Sequence, residues 1–191
     1  MQVCLGRGTY LSLDAETVGA VVAAMRSQAG ASAVVHAGCS ALGKFMQDEE
    51  ADVGRKIQAA EAVPTIVAAL RLHPGSVPLT ESVLRALNLI AQGPAELRQR
   101  VAAAGGIERA VGVMAAHAES EALSGLAVEL LASLCGQPSG AGATASAAAQ
   151  AEARALQAES AGAIEASVAA MRAHPQASAL QDGGGGRLLA L

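Results

Sequence analysis

The segment from Pro64 to Ala91 returns three more times along the chain with substitutions, and this internal copying restricts the fold more than any other feature. With Leu70 as anchor, Met25 lies 45 residues before it, Met114 lies 44 after it, and Met171 lies 57 beyond Met114. The same short runs surround each anchor: VAAMR at 22–26, VAALR at 67–71, VGVMA at 111–115 and VAAMR at 168–172. His73, His117 and His174 each follow their anchor by three residues, where the first copy has Gln28. Leu42, Leu87, Leu131 and Leu188 each follow by 17. A period near 44 is that of stacked helical repeats, each burying its apolar face against its neighbours.

Within each copy the apolar residues keep helical spacing. Val18, Val21, Val22 and Met25 form one stripe of a helix opening at Asp14 and running to about Ser27. After a turn at 28–32, a second helix over about 33–46 should bury Val35, Cys39, Leu42 and Phe45. Asp48 is placed to cap a further helix that buries Val53, Ile57 and Ala60, which makes three helices per unit. Pro64 suits the first turn of the next helix, and His73-Pro74-Gly75 ends it. Ser76 should cap a third helix burying Leu79, Val83, Leu84, Leu87 and Ile90. In the third copy Pro94 and Glu96 start the first helix, Gly105 and Gly106 end it, residues 107–117 form the second, and Ser120 caps the third through Cys135.

The division expected is a non-repeat segment at 1–13, three repeats over 14–135, a Gly/Ser/Ala-rich insert at 136–152, and an incomplete fourth repeat at 153–191. The insert accounts for the lengthened step to Met171; its front should be a flexible loop and its Ala-rich end should extend the following helix. Gly183 to Gly186 fall in the fourth copy's third helix, costing roughly 3 to 4 kcal/mol against alanine, so that helix should be short. Both ends read as joins to further repeats.

Three helices per unit, the pairs Gly105-Gly106 and Gly162-Ala163 before the second helix, and the run Gly38-Cys39-x-Ala41-Leu42 together resemble armadillo repeats over about residues 14–191. HEAT repeats, of similar length but with two helices, are the alternative fold. The resemblance implies an all-α solenoid, a right-handed superhelix whose concave face is lined by the third helices and binds extended segments of other proteins. In the import adaptors of that family, Trp and Asn ladders on the third helix hold basic peptides. The matching positions here are Ser40, Arg85, Glu129 and Gly186 for Trp, and Lys44, Leu89, Ser133 and Ala190 for Asn, so import-signal recognition is not expected. The groove residues proposed for this chain are Ser40, Lys44, Arg85, Asn88, Glu129 and Ser133, with Arg85 first because it lies mid-array and arginine is favoured at binding hot spots. A segment that contributes length inside a larger repeat protein is the second reading.

Composition argues against other chemistry. A net charge of −4 with one Tyr, one Phe and no Trp offers neither the basic stripe nor the stacking rings of a nucleic-acid binder. Cys4, Cys39 and Cys135 are odd in number and far apart, so neither a disulfide framework nor a zinc site is expected. Cys39 aligns with Leu84 and Val128 and should be a small buried residue; Gly38 to Gly43 misses the spacing of a nucleophile elbow. His73, His117 and His174 fall a repeat apart and are expected to be structural, and His36 has no metal-ligand partner at helical spacing. No apolar run reaches the length of a membrane span, and the start of the chain is a poor secretory signal. The expectation is therefore an intracellular, cytoplasmic or nuclear protein with a protein or peptide partner. No catalytic residue, cofactor, metal, nucleic acid, membrane or small-molecule substrate is expected.

Overall fold

The computed structural model describes residues 15–47, 61–136 and 145–180, and these are all-α, with no strand among them. In chain order the helices are α1 Ala15–Ser27, α2 Ser32–Gln47, α3 Ala62–Leu72, α4 Val77–Ala91 and α5 Ala95–Ala103. They continue as α6 Gly106–Ala116, α7 Glu121–Cys135, α8 Ala145–Ser160, α9 Ala163–Ala173 and the short α10 Ser178–Leu180. The helix expected after Asp48, the Asp14 cap, residues 1–13 and the Gly183–Gly186 run lie outside the described residues.

Each helix buries the stripe that its 3.6-residue spacing dictates. Val18, Val22 and Met25 of α1, Val35, Cys39 and Leu42 of α2, and Leu79, Val83, Leu84, Leu87 and Ile90 of α4 are buried, while Val21 and Phe45 pack on the core from its margin. Helices that hold equivalent places in successive copies pack side by side: α1 on α3, α3 on α6 and α6 on α9 in one row, α2 on α4 and α4 on α7 in another. Helix α4 thus lies between α2 and α7, and its buried face touches both. With few aromatic rings, close backbone approach replaces bulk. At Gly38 an added Cβ would stand 2.5 Å from the Met25 Sδ, so the missing side chain is what seats Met25 between α1 and α2.

The turns are copied as faithfully as the core. Nine residues before their anchors, Gly105 (φ 88°), Gly162 (φ 79°) and Glu61 (φ 51°) all turn the chain left-handed into the second helix of their unit. For Glu61 that conformation costs roughly 1–2 kcal/mol. Arg26 of the preceding unit offsets part of it, with Nη2 2.6 Å from the Glu61 carboxylate and Nε donating to Thr65 Oγ1 at 3.1 Å. At the start of α7 Ser120 caps as expected, its hydroxyl accepting from the Leu123 N–H at 3.3 Å. Ser76 holds the same place before α4 but makes no side-chain cap bond. Pro78, in the first turn of α4, lacks one of the two amides such a cap could serve.

The fourth unit departs from the pattern. Helix α8 has 16 residues against nine in α5, and it carries Arg154 at the register where α5 carries Leu97. Arg154 is 3% exposed. Its Nε donates to the Leu134 carbonyl at 2.6 Å and its Nη1 to Gln99 Oε1 at 3.1 Å. Burial, and then the neighbouring Arg98, hold its pKa below the usual arginine range, while Cys135 opposes them. The guanidinium therefore grips the carbonyl end of α7, where orphan acceptors and the helix dipole favour a cation.

Candidate functional site

The sequence register places one face of α2, α4 and α7 side by side, and a groove of about 390 Å³ runs across it. Five of the six expected residues meet there: Ser40 and Lys44 from α2, Arg85 and Asn88 from α4, and Glu129 from α7. Ser133, one turn further along α7, is half-buried and does not line the cavity. The floor is apolar, with Leu89 and Leu126 half-buried, and Gly43 lets Leu89 lean on α2, since a Cβ there would stand 3.4 Å from Leu89 Cδ1.

The polar groups of this face are unequally engaged. Arg85 donates through Nε and Nη2 to Glu81 Oε1 at 3.1 and 2.7 Å, an i, i+4 pair on one face of α4. At the lip, Ser82 gives its single hydroxyl proton to the Pro78 carbonyl at 3.0 Å, so His36 Nδ1 is the donor in its 2.8 Å contact with Ser82 Oγ. Asn88 is only 4% exposed, and its Nδ2 donates to the Leu126 carbonyl at 3.0 Å, tying α4 to α7. Its Oδ1 is buried without any hydrogen-bond partner. Leaving a buried acceptor unpaired costs about 1–3 kcal/mol.

A second depression, of about 290 Å³ between α1 and α3, is lined by Met25, Pro64 and Leu72 among others. Among the described residues its one charged lining residue, Arg26, is already engaged by Glu61 and Thr65.

The histidines do structural work that spacing alone did not reveal. His73 Nε2 donates to the Ala29 carbonyl at 2.6 Å, His117 Nε2 to the Pro74 carbonyl at 3.1 Å and His174 Nε2 to the Ala118 carbonyl at 2.8 Å. Each acceptor is the residue four places after its own anchor, in the preceding unit. Their C-cap geometry is also shared, with φ of −131°, −128° and −125°. Each ring is thus a rung between one turn and the next, and a carbonyl can only accept, so Nε2 carries the proton.

Cys39 and Cys135 are buried free thiols, and burial pushes their pKa up to about 12 and about 11. A thiol held protonated in this way is a packing group rather than a nucleophile. Among the described residues no cluster of three His, Cys, Asp or Glu could hold a metal ion, and no helix is long and apolar enough to cross a membrane. In comparison with known proteins, no family model, curated protein or solved structure matches this chain.

Proposed function

We propose that the chain is an armadillo-type α-solenoid, a right-handed superhelix of three-helix repeats, and that it acts as a non-catalytic protein-interaction scaffold. Its partner is a protein, bound through an extended segment in the groove formed by the third helices α2, α4 and α7. The observation that carries this reading is the groove itself, in which Ser40, Lys44, Arg85 and Glu129 from three equivalent helices surround an apolar floor of Leu89 and Leu126. The neighbour-to-neighbour packing of equivalent helices supports the solenoid part of the reading, because in that architecture each repeat leans only on the next. The solenoid and the groove also explain why polar residues vary at one register, Ser40, Arg85 and Glu129, while the buried positions behind them stay apolar.

The test is affinity capture of a partner followed by titration against Arg85→Glu and Lys44→Glu. Weakened binding at an unchanged melting temperature is the expected result. Unchanged affinity for both variants would remove the α2–α4–α7 face from consideration.

A further inference from the structure

Resting on that reading of the groove, the fixed charges of its two walls say what the partner segment must carry. Arg85 is neutralised by Glu81. Lys44 on α2 and Glu129 on α7 are exposed, and neither enters a hydrogen bond or ion pair among the described residues. They stand on opposite walls with α4 between them. Two helix-to-helix steps of 8–10 Å set the axes that carry these charges roughly 16 to 20 Å apart. An extended chain spans that distance in about six residues.

We infer that the groove takes an extended zwitterionic segment, with an acidic side chain against Lys44, a basic one about six residues away against Glu129, and a small apolar side chain over Leu89 and Leu126. Asn88 takes no part in reading the segment: its Nδ2 is held by the Leu126 carbonyl and its Oδ1 is buried, so it fixes α4 against α7 and leaves recognition to the two exposed charges and the apolar floor. A uniformly basic segment meets the Lys44 charge, and a uniformly acidic one meets Glu129, so either pays a like-charge penalty at one wall.

The experiment is selection of a random dodecapeptide display library on the full chain, repeated on the double charge reversal Lys44→Glu with Glu129→Lys. Selected peptides are expected to carry an acid and a base five to seven residues apart in one polarity, and the reversal variant is expected to select the opposite polarity. Lys44→Glu alone should weaken a selected peptide about fivefold. Peptides of one charge sign, or a polarity that does not invert, overturn the charge pattern. The groove reading then still stands if Leu89→Arg abolishes their binding, and falls with it if Leu89→Arg does not, with Ser40→Arg as the blocking variant should Leu89→Arg lower the melting temperature. A library that yields no peptide on the wild-type chain overturns both.

Discussion

Two edges of the molecule treat the repeat in opposite ways. Along the turn edge His73, His117 and His174 each donate to the equivalent carbonyl of the preceding unit. On the α2–α4–α7 face a single register holds Ser40, Arg85 and Glu129 in turn. The turn edge sets how one unit sits on the next, so its geometry must be the same at every step. The register of Ser40, Arg85 and Glu129 repeats no such bond, although Asn88 beside it ties α4 to α7. Copying marks the frame, whereas this register changes from one helix to the next.

The largest effect should come from the frame's interior. Leu87 is fully buried in α4, and Leu87→Ala should cost about 2 to 5 kcal/mol in chemical denaturation. A loss below about 1 kcal/mol would mean the register shared by Leu42, Leu87 and Leu131 is wrong.

Next comes the buried thiol behind the groove. Cys39 titrates from about 9 when unfolded to about 12 when folded, so the folded state holds its proton more tightly. The stability this gives is complete below pH 9 and falls as pH rises from 9 towards 12, by about 1.4 kcal/mol per pH unit at most. Melts across that range should show the slope in the wild type and a flatter one in Cys39→Ala. Equal slopes would mean that the thiol is solvated.

The rungs should matter less and equally. His117→Ala and His174→Ala should each cost about 1 kcal/mol. Because the two rungs are a repeat apart, the double variant should lose the sum to within about 0.5 kcal/mol. Unequal or strongly coupled losses would break the comparison, since the turns would then differ in kind. Smallest of all, Arg85→Glu should move stability by less than about 0.5 kcal/mol despite breaking the pair with Glu81. A larger shift would return this face to the frame.

Much of the fold was legible because burial has a period. Helices α1 to α7 end within a residue or two of where the stripes and the Gly and Pro punctuation placed them, and the five positions of α4 read as buried from its spacing are buried, together with Thr80, Ala86, Asn88 and Ala91. The groove residues could be nominated because a helix face follows from register, and five of the six do come together. Arg154 was missed although a signal existed, since it stands 17 residues before Met171 as Leu97 stands before Met114. Alignment of the anchors alone would have placed a charge in the core. The unpaired oxygen of Asn88 left no such trace, because a side chain's satisfaction depends on where a distant carbonyl happens to lie.

The sequence by itself determined the helices, their buried stripes and the turns between them, since these depend on contacts within a few residues and on a repeat that writes them several times over. Only the tertiary structure decided which carbonyl each histidine meets, how Arg26 meets the strained Glu61, that Arg154 grips the end of α7, and that Asn88 donates to the Leu126 carbonyl. Those contacts join groups separated by between 20 and 56 residues, and only the packing of one unit on the next brings them within hydrogen-bonding distance.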